Sequence, residues 1–288
     1  MRVFIVGHPG IEPHYGPRNS GETFLVDWNR FSINTTEENC GNHRRKCIMR
    51  PGLSLTSISG NPIKENLVFW GEYEPYSRAC ILGNAQGPKA LHDVLYPASG
   101  NYACPIDGLN TDPYIYGDEF YYICCGRKDN KEAIQYVPDD IILFGSTKKS
   151  SRDNGTYDFE LDTVFVVKGI RSIESFDVNS QYYKIGIQPH MNLLRANGLL
   201  DSQNLNVIVG RMYSENADMF SYVPAWPALK DIAQFKKPII DLTMFGYPEL
   251  RNPQINHDPI ECKYEDWLRL TTTVLETHKL VCYIDKIK

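Results

Sequence analysis

The chain has 288 residues, a formal net charge of −5 at pH 7, 42% hydrophobic residues and 23% charged residues. This composition excludes disorder over most of the length, because so much apolar material can offset the entropy of ordering. The acidic balance excludes a globally basic nucleic-acid-binding surface, so any contact with nucleic acid must be local.

Short segments rich in β-branched and aromatic residues recur along the chain, bounded by Gly, Pro, Asn or Asp, and this pattern is typical of strands. The predicted strands cover residues 3–6, 23–28, 66–70, 120–125, 140–144, 161–167, 182–187, 205–209, 239–244 and 280–284. Helical patterns are fewer. A proline in the first turn favours a helix over 88–95, and an apolar stripe at helical spacing predicts a longer helix over 264–278.

Helices do not alternate with strands, so a doubly wound parallel sheet is not expected. The stretches 32–63 and 97–117 are polar and lack periodicity, which predicts long excursions from the core. We therefore expect one α+β domain over 1–288, built on a strongly curved, mostly antiparallel sheet or a barrel, with large loop insertions and a C-terminal helix.

The beginning of the chain indicates a first strand, because its apolar run is too short for a signal-peptide core and Pro9 soon interrupts it. No stretch reaches the roughly 18 apolar residues of a membrane helix, so no membrane partner is expected. The eight cysteines are expected to be reduced thiols, which favours a cytoplasmic location.

A predicted core hairpin covers about 137–168. A turn ending in Asp140 leads into the apolar strand Ile-Ile-Leu-Phe-Gly-Ser, and the apolar run 161–167 returns after a polar loop. This hairpin resembles that of the PUA-like superfamily, which includes the EVE, ASCH and YTH groups. There a Gly-Asp turn starts such a strand, whereas here Asp139 holds the glycine position. The chain is also similar in style to prokaryotic proteins found beside nucleotide-modification systems. The resemblance implies a small barrel whose pocket accepts a nucleobase, often a modified one.

The stretch 69–78 combines aromatic, acidic and basic residues at the end of a predicted strand. A flat base needs an apolar face and hydrogen-bonding groups at its edge. The predicted ligand-binding residues here are Trp70, Tyr73, Tyr76 and Arg78, with Glu72 and Glu74 as acceptors. Two alternatives remain: Trp70 packs in the core while the glutamates form ion pairs, or the glutamates act as general acid and base of an enzyme.

The loop after the first strand is rich in turn residues and backbone donors. It lacks the Gly-Lys-Ser/Thr ending of a P-loop, so a Walker site is excluded. It either forms ordinary turns or lines a ligand through His8, His14 and Arg18; in the enzyme alternative, one of the histidines assists the glutamates.

Basic residues cluster at two places, and each cluster either contacts phosphate or forms a solvated loop. The predicted phosphate-binding residues are Arg44, Arg45, Lys46, Lys148 and Lys149. The nearby Cys40, His43 and Cys47 are ligand types for zinc, but zinc sites use four ligands from two pairs. No metal or other cofactor is therefore expected.

Trp226 lies between two prolines in a further aromatic turn, where it either covers an edge of the core or presents its ring to a ligand.

The leading hypothesis is a non-enzymatic recognition module whose partner is a nucleotide, or a single-stranded or flipped base. The alternatives are an enzyme acting on a nucleotide or nucleoside, and a protein-interaction scaffold with an exposed aromatic patch.

Overall fold

The computed structural model describes residues 1–7, 19–26, 45–72, 77–83, 87–94, 113–117, 119–123, 136–151, 155–180, 183, 187–188, 191, 206–213, 218–251 and 258–285. Strands dominate these ranges, and an α-helix lies near their C-terminal end. In chain order the elements are β1 (Arg2–Gly7), β2 (Thr23–Val26), β3 (Arg45–Leu55), β4 (Ile63–Glu72), β5 (Ser77–Ile81), β6 (Ala90–Val94), β7 (Tyr114–Tyr116), β8 (Glu119–Tyr122), β9 (Ile141–Lys149), β10 (Tyr157–Ser172), β11 (Asn206–Gly210), β12 (Val223–Pro227), β13 (Ile239–Ile240), β14 (Ile260–Glu261), α1 (Tyr264–Leu275) and β15 (Lys279–Ile284).

The first sheet has the strand order β14-β1-β9-β10-β11-β8-β7, and β13 pairs with β10 beside this path. β9 and β10 form the long antiparallel hairpin predicted from the sequence, while β1 joins β9 in parallel. The register of the hairpin shifts between Leu161 and Thr163. Such a bulge bends its strand and redirects the side chains beside it.

The second sheet has the order β15-β12-β4-β3-β6-β5-β2, and an additional pairing joins β15 to β3. The pairings β3–β4, β4–β12, β12–β15 and β15–β3 therefore form a closed ring. Gly52 permits this closure, because a Cβ at that position would lie 2.4 Å from the carbonyl oxygen of Tyr283 in β15.

Apolar side chains from both sheets pack into one core cluster, which includes Phe69 of β4, Phe144 of β9 and Phe165 of β10. A second cluster forms around α1, where Trp267, Leu270 and Val274 are buried. These residues belong to the apolar stripe and its neighbours, so α1 packs on the sheets as the periodicity predicted.

The turn before β9 has an unusual backbone. Asp139 has a φ of 75°, the one positive φ among the described residues other than glycine. Glycine adopts this left-handed conformation readily and aspartate tolerates it. The adjacent Asp140 is buried, accepts hydrogen bonds from the backbone N–H of Val137 and of Arg2, and forms an ion pair with the Arg2 guanidinium. Position 139 thus requires a backbone conformation that suits glycine.

The structure confirms the α+β class, with two curved mixed sheets and a C-terminal helix. Three predictions are wrong. Much of the expected 32–63 excursion is the paired strand β3, and strand β6 lies where a helix was expected over 88–95. The strand expected over 239–244 ends after Ile240, because a 3₁₀ turn covers Leu242–Phe245. Within the described ranges, no helix is long and apolar enough to cross a bilayer.

Candidate ligand-binding site

Pairing of β3 with β4 brings two sets of predicted residues together. Arg45 lies opposite Glu72, Lys46 opposite Gly71, and Cys47 opposite Trp70. The sequence separates these sets by more than twenty residues, and the antiparallel register places the beginning of β3 beside the end of β4. The candidate site therefore lies at this end of the second sheet.

The sequence placed Arg45 and Lys46 on an exposed loop, but both residues lie in strand β3. Their exposed fractions are 0% and 1%. The Nε atom of Arg45 lies 3.1 Å from a carboxylate oxygen of Asp162 in β10, so this ion pair joins the second sheet to the first. Both charges thus lie in the interior and not on an exposed loop, while contact with phosphate stays a prediction.

Asp162 receives a second cation. The Nζ atom of Lys237 lies 3.1 Å from its other carboxylate oxygen and donates to Ser146 Oγ at 2.9 Å. Asp162 lies at the bulge of β10, where the register shift places a carboxylate between Arg45 and Lys237. A buried carboxylate costs several kcal/mol unless it is paired. Here Arg45 and Lys237 flank the Asp162 carboxylate, and Lys237 also donates to the Ser146 hydroxyl. We call Arg45, Ser146, Asp162 and Lys237 the charged cluster.

Trp70 lies beside the charged cluster and is half-buried. The Phe235 ring stacks on it with centroids 6.4 Å apart and planes 11° apart, and Lys237 Nζ lies 5.3 Å from the indole centroid. Phe235 thus occupies a face that was predicted to stack on a base. The indole Nε1 is buried and, among the described residues, has no hydrogen-bond partner. Its N–H edge is therefore the group that remains to be satisfied.

A cleft of about 850 Å³ lies next to Trp226, whose ring packs against Phe235. Trp226, Lys236, Lys237, Thr277 and His278 belong to its lining. His278 Nε2 lies 2.7 Å from the carbonyl oxygen of Lys236, which only accepts, so Nε2 carries the proton and Nδ1 accepts from the Thr277 hydroxyl at 2.7 Å. Burial lowers the pKa of His278, which agrees with this neutral form.

A smaller cleft of about 280 Å³ is lined mainly by polar residues from 150–159 and 240–250. Its acidic residues do not form a metal site: within the described part of the chain, no three His, Cys, Asp or Glu side chains are grouped to hold an ion. Cys47 is buried in β3, and the other two residues considered for zinc, Cys40 and His43, lie outside the described ranges.

The remaining predicted residues do not all reach this site. Arg78 is exposed in β5 opposite Asp93 of β6. Lys148 is 70% exposed and lies 3.7 Å from Glu160, and Lys149 is exposed at the end of β9. The residues outside the described ranges are His8, His14, Arg18, Arg44, Tyr73, Glu74 and Tyr76.

Sequence reasoning missed Asp162, Ser146, Lys237 and Phe235. One signal was present for Asp162, since a lone carboxylate inside the apolar run 161–167 must be paired if the strand is buried. Lys237 gave no comparable signal, because nothing in the polar segment around it predicts burial.

Comparison with models of protein families, with curated proteins and with solved structures found no match to this chain. The candidate site is therefore inferred from the geometry of this chain alone.

Proposed function

We propose that the protein is a non-enzymatic recognition module that binds a nucleotide or nucleobase at the end of β4. One observation carries this proposal: the Trp70 indole N–H is buried beside the charged cluster and has no partner among the described residues. The ligand accepts a hydrogen bond from this N–H through an oxygen or ring nitrogen of the base.

The Trp70 indole N–H is a buried donor without an acceptor among the described residues. Leaving a buried donor unpaired costs about 1–3 kcal/mol, and native proteins rarely accept that cost without a reason. An acceptor supplied by a ligand recovers it. The stacked Phe235 ring holds the indole in one orientation, so the donor is fixed before the ligand arrives.

Charge favours an anionic ligand. The Lys237 ammonium lies 5.3 Å from the Trp70 centroid, so an acceptor bound at the indole edge comes close to a cation. The charged cluster holds two cations, Arg45 and Lys237, for the single carboxylate of Asp162. A nucleotide offers base acceptors for the N–H and a phosphate for this excess positive charge, whereas a neutral apolar ligand would leave the N–H without an acceptor.

The PUA-like assignment is part of the proposal. It is supported by the β9–β10 hairpin and by the left-handed backbone of Asp139 at the family's glycine position. We further propose that the protein acts in the cytoplasm, where its cysteines would stay reduced.

A fluorescence titration tests the proposal. Nucleoside monophosphates and short single-stranded oligonucleotides are added to the protein, to Trp70→Phe and to Trp267→Phe. Phenylalanine keeps an aromatic ring but removes the N–H. Trp267 is the matched control, because its indole N–H is also buried without a partner in the described structure but lies in the apolar core.

We expect the protein and Trp267→Phe to bind a nucleotide with the same affinity, and Trp70→Phe to bind about tenfold more weakly, the loss expected from one hydrogen bond to a buried donor. Equal affinities for the two variants, or no binding of any nucleotide by the folded protein, would exclude the proposal.

A further inference from the structure

Trp226 is held rigidly beside the 850 Å³ cleft. It lies in β12 between Pro224 and Pro227, whose rings restrict the backbone. Its indole N–H donates to the carbonyl oxygen of Thr277 at 3.1 Å, and Phe235 packs edge-on against it at 5.3 Å. Both contacts fix the plane of the Trp226 ring, so its remaining face keeps one orientation before any ligand arrives.

An ammonium group already occupies this surface. Lys230 Nζ lies 3.5 Å from the centroid of the Trp226 ring. A turn closed by the hydrogen bond from Lys230 N to the carbonyl oxygen of Pro227 brings the lysine back over the indole. Tryptophan is the aromatic side chain that attracts cations most strongly through its ring face. Lys230 is exposed, so its side chain can move into water when another cation takes its place.

The surroundings favour a cation over an anion. The carboxylates of Asp231 and Glu276 border the cleft, and α1 ends at Leu275 with its partial negative charge directed there. His278 is neutral in the arrangement described above. Lys237 lines the cleft, but its ammonium is paired with Asp162, which leaves Lys236 as the opposing cation among the lining residues.

We propose that the Trp226 face covered by Lys230, next to this cleft, is a second binding site, specific for an alkylammonium group, and that Lys230 is the internal occupant that the ligand displaces. The site binds a quaternary ammonium, either of a free small molecule or of a trimethylated lysine side chain. It is separate from the nucleotide site at Trp70 and does not depend on it.

Ligand-observed NMR with choline tests this proposal, because an indole face shifts the N-methyl protons upfield. The matched neutral probe is 3,3-dimethylbutan-1-ol, which has the same shape with carbon in place of the charged nitrogen. The third probe is Nα-acetyl-Nε-trimethyllysine amide. Its affinity relative to choline distinguishes a trimethylated lysine side chain from a free quaternary ammonium compound as the ligand. Each probe is titrated into the full chain and into Lys230→Met, which keeps an unbranched side chain but removes the competing charge.

We expect choline to bind more tightly than its neutral analogue, and Lys230→Met to bind choline at least about threefold more tightly than the original protein, the gain expected from releasing one exposed cation–π contact. Trp226→Leu should lose the preference for the charged probe, whereas Trp70→Phe should keep it. The proposal is overturned if both probes bind equally to Lys230→Met, or if that substitution leaves the affinity for choline unchanged.

Discussion

Two tryptophans of this protein share an unusual property and differ in everything around it. The indole N–H groups of Trp70 and Trp267 are both buried without a hydrogen-bond partner in the described part of the chain. Trp267 is 0% exposed in the apolar core, where Phe220 and Tyr264 pack against its ring. Trp70 is half-buried beside a buried carboxylate and its cations. An unsatisfied donor is a tolerated cost of packing in the first region and a candidate for recognition in the second.

The largest expected effect comes from Asp162→Asn in the charged cluster. The substitution leaves Arg45 and Lys237 buried without their carboxylate, so the free energy of unfolding should fall by about 3–5 kcal/mol. Leu270→Ala beside Trp267 should cost a similar amount, about 2–5 kcal/mol, by opening a cavity. Equilibrium urea denaturation measures both. A loss below about 1 kcal/mol for Asp162→Asn would show that the cluster does not stabilise the fold.

Acid should destabilise the protein through the buried His92 of β6. Burial, with a smaller contribution from Lys46, lowers the pKa of His92 from 6.5 to about 3. The unfolded chain therefore takes up a proton below pH 6.5 while the folded protein does not, and stability is lost as the pH falls toward 3. Between pH 6.5 and 4 the loss should be roughly 3 kcal/mol. The lowered pKa of His278 acts in the same direction.

Denaturation midpoints measured across this pH range provide the check. His92→Asn keeps an acceptor for the Ser77 hydroxyl, which lies 2.7 Å from His92 Nδ1, but does not titrate. Its stability should depend less on pH than that of the original protein. An unchanged pH dependence in the variant would assign the acid sensitivity to other groups.

Replacing each of the two tryptophans by phenylalanine should lower the free energy of unfolding by different amounts. Trp267→Phe opens a cavity in a sealed core and should cost about 1–3 kcal/mol. Trp70→Phe replaces a half-buried ring at the margin of the core and should cost about 1 kcal/mol or less. Thermal and urea denaturation test the order. The reverse order would mean that Trp70 serves mainly as a packing residue.

The smallest effect is expected in the turn before β9. Asp139→Gly relieves the left-handed backbone but removes the ion pair with Arg211, so the stability should change by less than about 1 kcal/mol. Asp139→Val places a β-branched residue at positive φ and should cost about 1–3 kcal/mol. If Asp139→Val is as stable as Asp139→Gly, the turn does not require this conformation in solution.

The sequence predicted the first sheet better than the second. β1, β9 and β10 each contain a short apolar run, and α1 has a clear helical stripe, so these local patterns were sufficient to predict them. β3 begins with Arg-Lys and contains Pro51-Gly52, which normally indicate a loop. Its strand conformation is imposed by pairing with β4, β6 and β15, which local propensity does not reveal.

The same limit applies to the candidate site. Trp70 and Glu72 could be singled out because they end a predicted strand in an aromatic and acidic stretch. Arg45 was expected to contact phosphate, but its actual partner, Asp162, lies 117 positions further along the chain, as the two residue numbers show. Ion pairs between sheets depend on the packing of those sheets, so neither the burial of Arg45 nor the role of Lys237 could be inferred from spacing.

The indole N–H signal of Trp70 tests the central claim most directly. In a ¹H–¹⁵N spectrum of tryptophan-labelled protein, this signal is identified by its absence in Trp70→Phe. On saturation with the best-binding nucleotide, the Trp70 signal should move downfield as its proton enters a hydrogen bond, while the Trp267 signal stays in place. A Trp70 signal that does not move when the nucleotide is bound would contradict the account.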